Sequence, residues 1–302
     1  MSVLSIRGAT KRYGKVTAVN EVSFDAKPGR ILGFLGPNGA GKTSTIRMIA
    51  DITAPDEGEV LFDGRPVGPW SQKVMGYLPE ERGLYRKLKV SSQLLYLAAL
   101  KGVPRAEAKQ KMQYWARRFG MERWLSHKTQ ELSKGMQQKV QFIAAILPEP
   151  RLLILDEPFG GLDPINSELL REIIREFKEA GRTILFASHR MEQVEQLCDD
   201  ICLIARGKVL VHGGLREVKA SYGRNTLLLD FAGDGTFLAP FERAGAIEIK
   251  TRSAHRAEMR VRDTTAPRAI LEAMLDQAIQ VYRYELAEPS LAEIFISEVE
   301  RS

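Results

Sequence analysis

A single segment constrains this chain more than any other, a Gly-x-x-x-x-Gly-Lys-Thr motif that directly follows the apolar run 31–35. Its glycines let the backbone fold around an anion with consecutive N–H groups pointing inward, and the following helix adds the positive end of its dipole. In such a loop Lys42 reaches the β- and γ-phosphates, and the Thr43 hydroxyl ligates Mg²⁺. The motif therefore predicts a strand, a phosphate-binding loop and a helix that together hold a nucleoside triphosphate. The loop comprises Gly36, Pro37, Asn38, Gly39, Ala40, Gly41, Lys42, Thr43 and Ser44.

Composition and apolar patterning indicate a folded protein with more than one domain. The 302 residues, 44% of them hydrophobic, are enough for one large α/β domain and a smaller one. The longest apolar runs, 142–147 and 152–155, are far shorter than the roughly 20 residues that cross a bilayer, and the N-terminus lacks the apolar core of a signal peptide. We therefore expect a cytosolic protein. Cys198 and Cys202 have no neighbours that complete a metal ligand set, so both are predicted to be buried as small apolar residues.

The net charge of +6 is concentrated in the first part of the chain. Residues 1–222 carry 34 Lys/Arg against 25 Asp/Glu, whereas residues 223–302 carry 10 against 13. A basic surface of this kind can face nucleic acid, anionic lipid headgroups or ATP. No Lys/Arg run is long enough, or interleaved with enough aromatic residues, to favour nucleic acid. A solvated basic surface is the simplest interpretation, and no nucleic-acid partner is expected.

The region around the phosphate loop is predicted to be β-rich. Short alternating segments at 4–9, 22–25 and 58–62 are bounded by turns and predict strands. Tyr13 follows the first of them, where an aromatic ring either stacks on a nucleobase or simply packs. A further strand at 74–78 leads into Pro79-Glu80. From about residue 91 the apolar residues recur with helical spacing, so residues ~86–148 are predicted to form a helical insert.

Two later segments put polar side chains at the ends of predicted elements. Ser133 is a natural N-cap for a helix whose N-terminus offers free N–H groups to an anion, although by itself this is only a capped helix. The apolar run 152–155 suits a parallel strand buried on both faces, and it ends in two carboxylates. There Asp156 can hold Mg²⁺ through water, and Glu157 can orient and deprotonate an attacking water.

The next elements continue the same sheet. Residues 161–164 turn into a helix predicted over 167–180, and a buried strand follows at 183–187. His189 lies just beyond its carboxyl end, where a lone histidine is either structural or in contact with the γ-phosphate. Residues 202–205 are predicted to be the last strand of this sheet.

Taken together, residues ~1–215 resemble the nucleotide-binding subunit of an ATP-binding cassette (ABC) transporter. The motifs follow one another in the order that is found in that family. The resemblance implies a P-loop α/β cassette with a mostly parallel core sheet, an N-terminal antiparallel β subdomain and a helical insert, with ATP and Mg²⁺ as cofactors. It also implies that two subunits close head to tail, each signature loop capping the ATP of the other. By this resemblance the adenine-stacking residue is Tyr13, the Walker A loop is 36–44, the Q-loop residue is Glu80, the signature residues are Ser133, Gly135 and Met136, the Walker B aspartate is Asp156, the catalytic glutamate is Glu157, the D-loop acid is Asp163 and the switch histidine is His189.

Two motifs depart from the family pattern. The usual signature Leu-Ser-Gly-Gly-Gln reads Leu-Ser-Lys-Gly-Met at 132–136, which keeps the serine and one glycine but introduces Lys134 and Met136. The first departure bears on how tightly the dimer closes. The usual Q-loop glutamine is Glu80, which retains an oxygen ligand for Mg²⁺ or water but adds a negative charge and loses the amide donors. The second departure bears on coupling to the membrane partner.

Residues 223–302 are predicted to form a separate, small α+β domain. Strands are predicted at 226–231, 246–250, 258–261 and 279–284, with helices at 237–244, 266–276 and 290–299. The order β-α-β-β-α-β with a final helix is that of a ferredoxin-like domain. No catalytic cluster occurs in this segment, so it either has a structural or dimer-supporting role or senses a ligand and regulates the ATPase.

The resemblance favours an ATPase that powers a separately encoded membrane permease. Residues 76–85 and 132–140 most resemble the bacterial exporter subfamily that includes sodium and drug efflux ATPases, which implies export, a homodimer and a place on the inner face of the membrane. The alternative is a soluble ABC protein acting on a ribosome or nucleic acid. Such proteins carry two cassettes or a long coiled-coil insert, whereas this chain has one cassette and no sustained heptads. A P-loop kinase or GTPase would not explain the presence of residues 133–138 and His189.

Overall fold

The computed structural model describes residues 2–81 and 83–301, so Arg82, which lies in one of the two segments that resemble exporters, is outside the described residues. The chain divides into two compact units, Met1–Leu215 and Arg216–Ser302. The sequence-based boundary, after residue 222, falls one residue beyond the helix that spans this division. Among the described residues, no helix combines the length and the apolarity needed to cross a bilayer.

The first unit alternates strands and helices after an initial antiparallel ribbon. Two short 3₁₀ helices, Glu122–Ser126 and Thr129–Glu131, precede α5. In chain order the elements are β1 (Leu4–Tyr13), β2 (Val16–Ala26), β3 (Ile31–Leu35), α1 (Lys42–Ile49), β4 (Glu57–Phe62), β5 (Arg65–Pro66), α2 (Pro69–Gln72), β6 (Met75–Leu78), α3 (Val90–Leu100), α4 (Arg105–Arg118), α5 (Lys134–Ile146), β7 (Leu152–Asp156), α6 (Pro164–Glu179), β8 (Thr183–Ser188), α7 (Met191–Leu197), β9 (Asp200–Ala205), β10 (Lys208–Gly214) and α8 (Leu215–Ser221), which runs across the division.

The central sheet has the strand order β10-β9-β3-β8-β7-β6, and every pair except β10–β9 is parallel. All residues of β3, β7, β8 and β9 are buried, as expected for parallel strands with helices on both faces. Phe34 and Phe186 are among the largest fully buried side chains. The prediction that the continuous apolar runs form buried strands is therefore confirmed.

One prediction about this sheet is wrong, because the segment 202–205 is not its last strand. β10 pairs antiparallel with β9 through a two-residue turn, Arg206-Gly207, and forms the edge. Both turn residues have positive φ, 49° and 77°, which is the conformation that joins strands in the tightest hairpins. A non-glycine residue at the first turn position hid this hairpin from the sequence pattern. Cys198 and Cys202 are free and buried, as predicted, and burial raises the pKa of both thiols.

The antiparallel sheet and the helical insert complete the first unit as predicted. β2, β1, β4 and β5 form an antiparallel sheet in that order, and its apolar face shares a core with the central sheet. The insert consists of α3, α4 and α5. α5 lies against β6 so closely that a side chain at Gly76 would put its Cβ 2.3 Å from the Ala145 carbonyl oxygen. This contact ties the insert to the parallel sheet.

The second unit is a four-stranded antiparallel sheet with helices, and the predicted element order is confirmed. The strand order is β12-β13-β11-β14, so the first strand lies inside the sheet, next to the last, as in ferredoxin-like domains. Leu227, Leu229 and Phe231 of the central strand pack in one core with Ile270 and Met274. The elements are β11 (Thr226–Phe231), a 3₁₀ turn (Thr236–Leu238), α9 (Ala239–Arg243), β12 (Ile247–Ser253), β13 (Arg256–Val261), α10 (Ala266–Asp276), β14 (Val281–Ala287) and α11 (Leu291–Arg301).

Candidate functional site

The candidate site lies at the carboxyl ends of four neighbouring parallel strands of the first unit. β3 leads into the phosphate loop, β6 into Glu80, β7 ends at Asp156 and β8 is followed by His189. Ligands of α/β sheets bind at this edge, because the loops that leave the strands there converge. The strand order, rather than sequence distance, therefore brings these four segments together.

The phosphate loop joins β3 to α1 and is packed too tightly to accept larger side chains. A Cβ at Gly36 would lie 2.2 Å from the Ile204 carbonyl oxygen, and one at Gly41, with φ 106°, would lie 2.4 Å from the Ala18 carbonyl oxygen. Lys42 is only 7% exposed, and its Nζ donates to the carbonyl oxygens of Gly36 at 2.7 Å and Pro37 at 3.1 Å. The ammonium group is thus held at the mouth of the loop, and the strand, loop and helix predicted from the motif are confirmed.

The Lys42 ammonium faces three carboxylates, those of Asp156, Glu157 and Glu80. Burial lowers the pKa of Lys42, and the three negative charges oppose that shift. Glu80 and Glu157 line the same cavity as Thr43 and the loop glycines 39 and 41. The buried ammonium group of Lys42 therefore lies in the field of three carboxylates.

Asp156 is the most perturbed acid of the site. Its side chain is 1% exposed, and Oδ2 has no hydrogen-bond partner among the described residues. Burial, reinforced by the neighbouring charges of Glu80 and Glu157, raises its pKa to about 6. A buried carboxylate oxygen without a partner is costly, and it is the ligand type that Mg²⁺ takes.

The three residues expected to meet a metal, Thr43, Asp156 and Glu80, line one common cavity. Among the described residues there is no cluster of three or more His, Cys, Asp or Glu side chains that could hold a metal. Mg²⁺ is bound by one or two carboxylates plus water and substrate phosphates rather than by a protein cage. The donor set therefore fits Mg²⁺ that arrives with a nucleotide.

Asp156→Asn is expected to make stability less dependent on pH. A carboxyl whose pKa rises from 3.8 in the unfolded chain to about 6 in the folded protein binds its proton more tightly when folded. Its contribution is therefore favourable at low pH and is lost as the pH rises from about 4 to about 6, by up to about 3 kcal/mol. Differential scanning calorimetry of the metal-free proteins should show the variant gaining stability over wild type across this range.

Asp163→Asn is the matched control for that measurement. Hydrogen bonds from Asn166 lower the pKa of Asp163, so its removal should change the pH dependence in the opposite direction. A stability difference between Asp156→Asn and wild type that stays constant from about pH 4 to about pH 7 would contradict the raised pKa.

Glu157 is held at three points in a strained backbone conformation. Its φ is 48°, in the left-handed region that a β-carbon disfavours. Oε1 accepts hydrogen bonds from the backbone N–H of His189 at 2.7 Å and lies 2.6 Å from His189 Nδ1, while Oε2 accepts from the Ser188 hydroxyl at 3.1 Å. The Ser188 contact was missed in the sequence, since a serine before a histidine carries no signal of its own. The carboxylate is thus aimed by the end of the neighbouring strand.

The candidate catalytic residues share a third cavity, next to the phosphate loop. Glu80, Glu157 and His189 line it together with Gln138 and Gln193. Gln138, on α5, donates from Nε2 to the Pro158 carbonyl oxygen at 3.1 Å and so fixes the loop that follows Glu157. Arg190 and Phe159 also border this cavity.

Ser133, Gly135 and Asp163 line none of these three cavities. Ser133 caps α5 by accepting from the Met136 N–H at 3.3 Å, and Gly135 packs on the turn before Asp163, where a Cβ would lie 3.0 Å from the Gly161 carbonyl oxygen. Asp163 caps α6 through the Asn166 N–H at 2.9 Å. The signature residues thus form a separate surface on the same chain.

Tyr13 also lines none of the three cavities. It is the last residue of β1 rather than a loop residue, and it is 44% exposed. The Lys11 ammonium lies 5.9 Å from the centre of its ring. Ala18, which lines the phosphate-loop cavity, was not identified from the sequence, because only the fold of β2 brings it there.

Comparison with known proteins agrees with this geometry. Residues 19–160 match the ABC transporter family and residues 213–299 match the C-terminal domain of DrrA1-3-like ATP-binding proteins. The chain is 44% identical over 297 residues to the uncharacterised ABC transporter ATP-binding protein YhaQ of Bacillus subtilis, covering 98% of each chain. It is 30% identical over 305 residues to the linearmycin resistance ATP-binding protein LnrL of the same organism, covering 98% of this chain and 97% of that one.

A solved structure of an ATP-binding subunit of an ABC transporter superposes with a TM-score of 0.70 at 32% identity, covering 74% of this chain and 94% of that one. The cassette fold found here is thus shared with solved members of the same family. Sequence similarity over nearly the whole chain, the matched domains and the closely packed phosphate loop lead to one assignment. The chain belongs to the ATP-binding subunits of ABC transporters and is an ABC-type ATPase.

Proposed function

We propose that this subunit hydrolyses Mg²⁺-ATP as one half of a homodimer and drives export through a separately encoded permease. The observation that supports a dimer is that, within one chain, the signature residues lie apart from the phosphate loop. Lys42, Glu157 and His189 gather around the phosphate loop, while Ser133 and Gly135 line none of the three cavities. A second copy that presents Ser133 to the γ-phosphate would complete each site.

Each residue of the proposed site has one task in the reaction. Lys42 and the N–H groups of the loop would bind the β- and γ-phosphates, and Thr43 and Asp156 would hold Mg²⁺. Mg²⁺, when bound, supplies charge neutralisation on the phosphates. Glu157 takes a proton from the attacking water, and its two oxygens are oriented for this by Ser188 and His189.

Export is the direction that the relatives favour. LnrL is named for resistance to linearmycin, and export of a toxic compound is one way in which a transporter confers resistance. The exporter-like segments 76–85 and 132–140 support the same direction.

The test is to recover the tagged full-length protein from the membranes of its host and to identify what accompanies it. An integral membrane protein recovered in fixed ratio supports the proposal. Ribosomes or nucleic acid recovered instead, with no membrane protein, would support a soluble ABC ATPase and overturn the transport role. Drug or ion accumulation in cells lacking the chain then measures the direction.

Glu80 gives a sharper test of the altered Q-loop. Glu80→Gln should keep most of the ATPase activity and Glu80→Ala should lose it, because glutamine retains a carbonyl oxygen at this position and alanine has none. The three proteins are compared by phosphate release, with Glu59→Ala, an exposed carboxylate on β4, as the matched control. Equal activity of wild type and both Glu80 variants would remove Glu80 from the site.

A further inference from the structure

The second unit contains a small cavity of its own, with a volume of about 220 Å³. All the residues that line it lie between 222 and 300, inside the unit that spans 216–302. One wall is formed by β12 and β13, and the other by α11. Drug-sized ligands occupy cavities of roughly 300–1,000 Å³, so this cavity suits a smaller molecule.

The cavity lies on the face of the sheet opposite the apolar core. Ile247 and Met259 belong to that core, and the residues that alternate with them, Glu248 and Arg260, line the cavity. Ile294 of α11 is 1% exposed but is not part of that core, so α11 packs on this second face. The cavity is therefore enclosed between a polar sheet face and a helix.

The sheet wall of the cavity carries more positive than negative charge. Lys250 on β12, Arg260 on β13 and Arg262 just after β13 line it together with one acid, Glu248. A hydrogen bond from Arg262 at 2.9 Å, together with the charges of Lys250 and Arg260, lowers the pKa of Glu248. Three cations against one carboxylate leave an excess of two positive charges on this wall.

The acids of the helix wall do not pair with these cations. Glu293 Oε2 accepts hydrogen bonds from the Ser290 N–H at 2.9 Å and from the Ser290 hydroxyl at 3.1 Å, which caps the N-terminus of α11. Glu293 Oε1 accepts from the Thr226 hydroxyl at 3.4 Å. Glu300 is exposed and forms no ion pair with a described residue. The positive charges of the sheet wall therefore remain available to a ligand.

Arg260 is the cation of this wall that lacks a partner. It is half-buried, and the residues opposite it on the neighbouring strands are Glu248 and Thr226. Glu248 instead accepts a hydrogen bond from Arg262. Thr226 instead donates to Glu293. Arg260 therefore has no hydrogen bond or ion pair with a described residue. Its guanidinium group offers five N–H donors in a fork that matches two oxygens of a phosphate.

The helix wall supplies a second donor without a partner. Ser297 on α11 lines the same cavity, and its hydroxyl forms no hydrogen bond with a described residue. A helical serine can bond back to a carbonyl of the preceding turn, as the Ser221 hydroxyl does to the Val218 carbonyl oxygen at 2.7 Å. The Ser297 hydroxyl makes no such bond. The cavity thus offers unpaired donors from both walls.

We propose that this cavity binds a small phosphate group, held by Arg260 and Lys250 on the sheet wall and by Ser297 on the helix wall. A phosphate monoester carries about −1.5 to −2 charge at neutral pH, which matches the excess on the sheet wall. Its source is either a soluble phosphorylated molecule or the headgroup of a lipid. The cavity shares no residue with the ATP site, so the inference goes beyond the proposed function. Of the two roles that the sequence left open for this unit, it supports ligand sensing.

Calorimetric titration with inorganic phosphate and with glycerol 3-phosphate tests the proposal. The full-length protein is used in a Lys42→Ala background, so that the phosphate loop of the first unit contributes little to the signal. Arg260→Gln should weaken binding about tenfold or more, because the variant loses the charged fork. Arg256→Gln is the matched control. It removes the same charge from the same strand, but Arg256 pairs with Asp230 at 3.2 Å and does not line the cavity.

Thermal unfolding separates a ligand-binding role of Arg260 from a structural one. Arg260→Gln removes no hydrogen bond or ion pair of the unit itself, so without phosphate the variant should unfold at or above the temperature of its Lys42→Ala parent. Phosphate should raise the unfolding temperature of the parent but not that of Arg260→Gln. A marked loss of stability without phosphate would assign Arg260 a structural role and overturn the proposal.

Vesicles of phosphatidylcholine, with and without phosphatidic acid, identify the source of the phosphate. Binding of the two soluble probes supports a soluble ligand. Sedimentation with the phosphatidic acid vesicles alone, lost in Arg260→Gln and kept in Arg256→Gln, supports a lipid headgroup. Binding of no probe, or binding that Arg260→Gln leaves unchanged, overturns the proposal. Because the ATP site is not involved, either failure leaves the proposed function standing.

Discussion

Glu157→Gln is expected to slow ATP hydrolysis by about 10²- to 10⁴-fold while ATP binding persists. This is the range that a general base contributes, equivalent to roughly 3–5 kcal/mol of barrier. An amide cannot take the proton from water. It leaves Lys42, Thr43 and Asp156 in place, so nucleotide and Mg²⁺ should still bind.

The substitution is also structurally mild. A glutamine has the shape of the glutamate, and its carbonyl oxygen can still accept from the backbone N–H of His189, which now donates to Glu157 Oε1 at 2.7 Å. The left-handed backbone at this residue is unchanged, since both side chains carry the same β-carbon. The loss is therefore chemical and does not require misfolding.

Slow hydrolysis should trap an ATP-bound dimer if opening waits on the chemical step. The trap is measured on Glu157→Gln by size-exclusion chromatography with light scattering. Monomer without nucleotide and dimer with ATP is the expected pattern. Wild-type phosphate release by Glu157→Gln would refute its role as the base. An inactive variant that stays monomeric with ATP would refute only the closure of the dimer without the permease. Lys134 and Met136, the altered signature residues, would then be the candidates for weakening that closure.

Lys42→Ala is expected to abolish ATP binding or turnover in a protein that remains folded. The Lys42 ammonium is buried beside the phosphate loop and is the only cation that the loop itself supplies. Its removal takes the positive charge of the loop away from Asp156, Glu157 and Glu80, so the attraction between the loop and the nucleotide phosphates should weaken. Fluorescent-nucleotide titration and phosphate release measure binding and turnover separately.

Lys101→Ala is the matched control for Lys42→Ala. Lys101 is also a partly buried lysine with a pKa lowered by burial, and its Nζ donates to the carbonyl oxygens of Gln72 and Met75, away from the nucleotide. Both variants should lose some thermal stability, because carbonyl groups lose a charged donor. Only Lys42→Ala should lose nucleotide binding. Wild-type hydrolysis by Lys42→Ala would contradict the whole assignment of the site.

The amino-acid sequence determined the local elements of this protein. The apolar run 31–35 followed by the glycine-rich loop has essentially one solution, a buried strand, a loop and a helix start, because only glycines tolerate the close approach of Ala18 and Ile204. The runs 152–155 and 183–187 were likewise predictable, since parallel strands covered on both faces must be apolar throughout. The two-residue turn at Arg206-Gly207 could not be predicted in this way, because its conformation is set by the pairing of β10 with β9.

Only the tertiary structure decided how these elements meet. The order β9-β3-β8-β7-β6 sets Asp156, Glu157 and His189 beside Lys42, although more than a hundred residues separate Lys42 from each of them. Long-range strand pairing is not encoded in local periodicity, which reports which face of an element is apolar but not its neighbour. The raised pKa of Asp156 and the strained backbone at Glu157 both arise from this convergence. The same reason applies to Arg260 and Ser297, because only the fold of the second unit brings β13 and α11 to one cavity.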